Sequence, residues 1–284
     1  MLLQFENVTH TYQAGSPFQA TAIQDVTLSI QSGEFTALIG HTGSGKSTLA
    51  QHMNALLSPT GGRVLLDGRD INQKGVSKKE TRQRIGLVFQ YAETQLFEET
   101  VAKDIAFGPK NLGLSQAETD ERVREALSRV GLSDEIAEKS PFELSGGQMR
   151  RVAIAGVIAM RPEMLVLDEP AAGLDPMGRE DMLALVKSFH EAGTTVVMIS
   201  HSMDDVARLA KRIIVMEKGR VALEGTAEEV FRDAERLNRM DLDVPEVCRL
   251  SLRLREEGYD FPLCYRMEDA MTALEKLLKG EKNG

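Results

Sequence analysis

The chain has no tryptophan, two cysteines and an aromatic share of only 5%. Any ring that stacks on a flat ligand must therefore come from the 4 Tyr or 10 Phe. Cys248 and Cys264 stand near the C-terminus without metal-ligand spacing, so neither a thiolate zinc module nor a dense disulfide framework is expected. They read as two free thiols of a reducing cytosol. Long apolar runs are also missing. The longest, Val152 to Met160, is far short of the ~20 residues that cross a bilayer as a helix. Met1-Leu2-Leu3-Gln4-Phe5-Glu6 shows no basic stretch leading into an apolar run, so no cleaved secretory signal is expected. Positive charge is in deficit. With 34 Lys+Arg against 43 Asp+Glu the net charge is -9, which disfavours nucleic acid as a partner.

What is present is an ordinary globular composition. With 42% hydrophobic and 27% charged residues in 284, the chain can bury a core and form one or two domains. Strand-like and helix-like segments alternate, which argues for an α/β fold. Residues 35–39, 84–89, 164–167, 195–199 and 212–216 read as core strands. Leu49, Met53 and Leu56 fall at helical spacing after the first of these. Segment 115–130 reads as a polar helix with Val123, Leu127 and Val130 on one face. It interrupts the strand rhythm, so a helical insertion is expected at about 91–155. Residues 226–284 read as an appended helical region, broken by Pro245 and Pro262 and ending in a stripe of Met267, Met271, Leu274 and Leu278.

Gly40-His41-Thr42-Gly43-Ser44-Gly45-Lys46-Ser47 fits the phosphate-binding loop pattern, and Thr48 follows it. Glycines let successive backbone N–H groups turn inward onto phosphate oxygens. The helix that follows points its positive end at the same anion. Lys46 is placed to reach the β- and γ-phosphates, and Ser47 to offer its hydroxyl to Mg²⁺. A second element, Met164-Leu165-Val166-Leu167-Asp168-Glu169, is an apolar strand ending in two carboxylates. Ligands of open α/β sheets lie beyond the carboxyl ends of the strands. Asp168 is thus placed to hold Mg²⁺, and Glu169 to polarise a water in line with the γ-phosphate.

Leu144-Ser145-Gly146-Gly147-Gln148 precedes a helix pattern over 149–160. Ser145 can cap that helix, and the two glycines leave its N–H groups open to an anion. With Gln90, Leu174-Asp175 and His201, these motifs stand in the order of ATP-binding cassette (ABC) ATPases, which residues 1–225 resemble. The resemblance implies a RecA-like core, an antiparallel β region and a helical subdomain, followed here by a C-terminal helical extension. It implies ATP and Mg²⁺ as ligands. It also implies a head-to-tail pair of cassettes, in which Ser145, Gly146, Gly147 and Gln148 complete the nucleotide site of the partner. It gives Tyr12 as the adenine-stacking aromatic and Gln90 as a residue touching Mg²⁺ or the attacking water. It gives Asp175 as a link between the two sites and His201 as a γ-phosphate contact. Ala171 departs from the threonine that many cassettes carry after the Asp-Glu-Pro, with no carboxylate or phosphate ligand lost.

A finer resemblance lies in Phe89-Gln90-Tyr91-Ala92-Glu93-Thr94-Gln95-Leu96-Phe97 and Asp104-Ile105-Ala106-Phe107-Gly108-Pro109. These segments are similar to energy-coupling factor (ECF) transporter ATPases, and residues 11–18 and His41-Thr42 to the second ATPase of the heterodimeric type. This implies a peripheral protein on the cytoplasmic face of the cell membrane. Its implied partners are a second, similar ATPase (a homodimer being the alternative), a transmembrane coupling protein and a substrate-capture membrane component. The implied cargo is a vitamin or another micronutrient. Residues 226–284 would help pair the ATPases. Another ABC importer ATPase, or a single-cassette Fe–S assembly ATPase, stays open at this level.

Overall fold

The computed structural model describes residues 2–278. Among the described residues the strands are β1 (Leu2–Tyr12), β2 (Ala20–Gln31), β3 (Phe35–Ile39), β4 (Gly61–Leu66), β5 (Arg69–Asp70), β6 (Ile85–Val88), β7 (Met164–Asp168), β8 (Thr195–Ile199), β9 (Arg212–Glu217) and β10 (Arg220–Gly225). The helices are α1 (Lys46–Met53), α2 (Lys78–Arg84), α3 (Val101–Leu112), α4 (Gln116–Arg129), α5 (Gly146–Ile158), α6 (Pro176–Glu191), α7 (Met203–Leu209), α8 (Ala227–Phe231), α9 (Ala234–Asn238), α10 (Glu246–Glu256) and α11 (Met267–Leu278).

Two sheets form. The antiparallel one runs β2-β1-β4-β5, and the central one runs β10-β9-β3-β8-β7-β6. In the central sheet β9, β3, β8, β7 and β6 are mutually parallel, with β10 antiparallel at one edge. Every residue of β3, β6, β7 and β8 is buried. That explains their largely apolar sequence, since a parallel sheet is covered on both faces. Its pleat sends alternate residues to two cores. Ala37, Ile39, Leu165 and Leu167 pack with the helices. Leu38, Val166, Val197 and Ile199 pack against α1 and the antiparallel sheet.

Between β6 and β7 lies the helical part, each main helix started by its own cap. Thr100 caps α3, and Ser115 with Glu118 forms a capping box on α4. Ser145 does the same with Gln148 on α5. Val123, Leu127 and Val130 are buried as their spacing predicts. Leu56 is not on the face of Leu49 and Met53. α1 stops at Met53, Ala55 takes φ 57°, and Leu56 is left exposed.

The C-terminal region is less separable than its sequence position suggests. Phe231, Leu237, Met240, Val244 and Cys248 join the main core. Glu246 N–H donates to Asp204 on α7, and Arg266 Nε donates to the Ala207 carbonyl. The final stripe divides, with Leu274 packed against a small C-terminal cluster. α11 buries Ala270 and Ala273 against Val247, Phe261 and Cys264, leaving Met267, Met271 and Leu278 exposed. Residues 279–284 lie outside the described residues.

Candidate active site

The parallel strands end at one edge, and the candidate residues sit there. β3 runs into Gly40, and the register pairs Val88 with Leu167 and Asp168 with Ile199. Gln90, Glu169 and His201 therefore follow β6, β7 and β8 on the same side. Gly40 and Gly45 are required as glycines. A Cβ at Gly40 would strike the Met216 carbonyl and Ser44, and one at Gly45 would lie 2.6 Å from the Ala22 carbonyl.

Lys46 is only 6% exposed. Its Nζ donates to the carbonyls of Gly40 at 2.7 Å and His41 at 3.0 Å. Burial lowers its pKa, while the charges of Glu169 and Asp168 act to raise it. Asp168 is 8% exposed and accepts a hydrogen bond from Ser47. Burial raises its pKa against the pull of that bond and of Lys46. Glu169 holds φ 52°, and its N–H donates to the Ile199 carbonyl. Burial, then repulsion from Asp168, pushes its carboxyl up to about 7. One carboxylate oxygen, Oε1, is buried without a hydrogen bond. His201 Nε2 lies 3.4 Å away, outside hydrogen-bonding geometry. Burial, then Lys46, lowers the His201 pKa. Ser44 Oγ is a second orphaned buried oxygen, in the middle of the loop. A buried cation, two raised carboxyls and unpaired buried oxygens suit an anion-and-metal site rather than a closed core.

Tyr12 is half-exposed at the end of β1, its hydroxyl 3.2 Å from Thr48 Oγ1. Gln90 is exposed beyond β6. The Ser145 turn stands at the α5 N-terminus with open space around Gly146 and Gly147. Among the described residues it makes no hydrogen bond or ion pair to residues 40–48. Asp175 caps α6, accepting from Gly178 N–H at 2.7 Å.

Sequence reasoning missed several supporting residues. His10 packs edge-on against Tyr12 and His52, with centroids 4.6 and 4.7 Å apart. The i, i+2 spacing of His10 and Tyr12 on a strand was the available signal. Arg179 donates to Asp205 at 2.6 Å and to Ser202, bracing the turn after His201. Arg150, 4% exposed in an apolar helix, holds Glu93 and the turn after Glu169.

The family described as ABC transporter matches residues 23–172. Over 285 residues the chain is 52% identical to the energy-coupling factor transporter ATP-binding protein EcfA2 of Caldanaerobacter subterraneus subsp. tengcongensis, covering 100% of both chains. The chain belongs to the energy-coupling factor transporter ATP-binding proteins of the ABC transporter family. The Clostridium tetani EcfA2 is 51% identical over 99% of each chain. Among solved structures, cbiO1 from Clostridium perfringens, described as part of the ABC transporter complex cbiONQ, aligns with TM-score 0.73 and 37% identity. That alignment covers 90% of this chain and 96% of that one. A dimeric post-hydrolysis state of the cassette MJ0796, bound to ADP and Pi, aligns with TM-score 0.69 and 32% identity. It covers 79% of this chain and 98% of that one. The fold is the P-loop ABC cassette with a C-terminal helical extension.

Proposed function

We propose that this chain binds and hydrolyses ATP as one ATPase of an ECF-type importer, and that residues at the shared strand edge carry the reaction. Gly40, His41, Thr42, Gly43, Ser44, Gly45, Lys46, Ser47 and Thr48 cradle the phosphates, and Tyr12 stacks on adenine. The donor set fits Mg²⁺: the Ser47 hydroxyl and the Asp168 carboxylate are hard oxygens already joined by a hydrogen bond, with Gln90 on the same edge. The bound ion would neutralise charge on the β- and γ-phosphates. Glu169 takes the proton of a water whose oxygen attacks the γ-phosphorus, and ADP leaves. Lys46 and His201 stabilise the transferred group's charge. The observation that carries this reading is Glu169, a buried carboxyl raised to about 7 with a free oxygen beside Lys46, Asp168 and His201.

Within one chain the Ser145 turn has no phosphate site to serve. A second, similar ATPase packed head to tail would receive Ser145, Gly146, Gly147 and Gln148, and Asp175 would lie at that junction. The exposed Met267, Met271 and Leu278 suit pairing of the C-terminal regions, drawn at residues 226–284 behind a cassette of 1–225. A cavity of about 520 Å³ beside the helical part, lined by Leu87, Leu96, Phe107 and Met160 among others, suits a cytoplasmic helix of a transmembrane coupling protein. No helix among the described residues is long and apolar enough to cross a membrane. The chain would thus work peripherally on the cytoplasmic face, with vitamins or other micronutrients as cargo captured by another membrane component. The test is co-purification of the tagged full chain from detergent-solubilised membranes, followed by ATPase assay and cargo uptake in vesicles. A membrane-free chain whose purified pair turns over no ATP would overturn the reading.

A further inference from the structure

α5 carries two adjacent arginines with different surroundings. Arg151 reaches the Val130 carbonyl at the end of α4. Arg150 turns inward, and its guanidinium is almost fully used. Nε and one terminal nitrogen grip both carboxylate oxygens of Glu93, at 2.9 and 2.7 Å. The other terminal nitrogen donates to the carbonyls of Pro170 at 3.3 Å and Ala172 at 2.5 Å. Glu93 belongs to the short turn just after Gln90. Pro170 and Ala172 belong to the turn that opens at Glu169, where Ala172 N–H bonds the Glu169 carbonyl, and runs to Asp175. One planar, rigid group thus ties α5 to the turns that follow two strands.

We propose that Arg150 is a positioning residue that fixes the Glu169 turn to the Gln90 segment, so that a displacement of that segment is passed to the catalytic carboxylate. The inference rests on the ATPase reading above. The physical basis is that a guanidinium has a fixed fork of donors and stays charged when buried. An ammonium at the same place cannot hold a bidentate carboxylate and two carbonyls together. Arg150 hydrogen-bonds Glu93 on one side and the carbonyls of Pro170 and Ala172 on the other, so the coupling passes through this side chain.

The test is hydrogen exchange and ATP turnover of the ATPase pair containing this full-length chain as Arg150→Lys or as Glu93→Gln. Exchange should speed up in both segments, 91–95 and 169–175, while residues 40–48 keep their protection. kcat should fall on the order of tenfold or more, as misplaced positioning groups cause, with KM for ATP within about threefold. Glu93→Gln keeps the shape of its partner but frees the guanidinium from its anchor, so it should loosen both segments too, and it decides the matter if Arg150→Lys does not fold. Faster exchange confined to residues 91–95 with unchanged kcat overturns the proposal. The exchange result stands apart from catalysis. A wild-type ATPase pair that turned over no ATP would end the ATPase reading while leaving the mechanical tie to be judged on exchange alone.

Discussion

Glu169→Gln should separate catalysis from stability in opposite directions. The side chain is 13% exposed, and its carboxyl sits at about 7 against an ordinary 4.5. That difference corresponds to about 3 kcal/mol disfavouring the ionised form, which solvent at the mouth of the site reduces to ~1–3 kcal/mol. The sign follows from a folded pKa above the unfolded one. The stabilising contribution is complete below about 4.5 and is lost as pH rises through about 7. Gln keeps the size and never ionises. The nucleotide-free variant should therefore match the wild type near pH 4 and exceed it by ~1–3 kcal/mol at pH 8. Turnover should move the other way. Loss of a general base costs ~10²–10⁴-fold, about 3–5 kcal/mol of barrier, with nucleotide binding retained. Urea denaturation at several pH values, in chelator and without nucleotide, measures the first effect. Single-turnover hydrolysis measures the second. A stability difference independent of pH would refute the electrostatic reasoning, and wild-type hydrolysis would remove Glu169 from the chemistry.

Lys46→Ala should abolish tight ATP binding, because it removes the nearly buried cation of the proposed phosphate loop; equilibrium titration of the purified complex checks this. Bulky substitution of Ser145 or Gly147 should spare the phosphate loop of the same chain and damage the site completed in the partner. Site-resolved nucleotide crosslinking in the ATPase pair should show the defect in trans, and loss only in cis would refute the head-to-tail arrangement. Cys248 should resist alkylation at pH 8 in the folded chain, since burial pushes its thiol up to about 11. Mass spectrometry should show both cysteines modified only after denaturant is added, and rapid labelling of native Cys248 would contradict its burial.

How much of this was legible in the sequence depended on whether the cause was local. The phosphate loop, the strand ending in Asp168 and Glu169, and the helix capped by Ser145 are each written in a few consecutive residues. Turn chemistry, capping and an unbroken apolar run leave little choice there. The strand expectations at 35–39 and 195–199 coincide with β3 and β8 for the same reason. Leu56 was misplaced because helical spacing says nothing about where a helix stops, and Asn54 and Ala55 end it first. The stripe on α11 was legible as an apolar face, but which residues anchor the helix to its own chain was not. Alanines at 270 and 273 let the helix approach Phe261 and Cys264 closely, and the larger methionines were left to solvent.

The residues that escaped were those whose partners are far away in sequence. Arg150 is 57 residues from Glu93 and about 20 from Pro170 and Ala172, so no window on the chain reveals the tie. A pair of arginines, Arg150 and Arg151, in a mostly apolar helix was the clue, and a solvated face would read the same way. Arg179 and Asp205 are likewise 26 apart. The chain therefore writes its chemistry locally and the bracing of that chemistry non-locally. The unpaired oxygens on Ser44 and Glu169 follow from this division. The fold holds them in place through distant contacts, and under the proposed function the nucleotide and its attacking water would partner them.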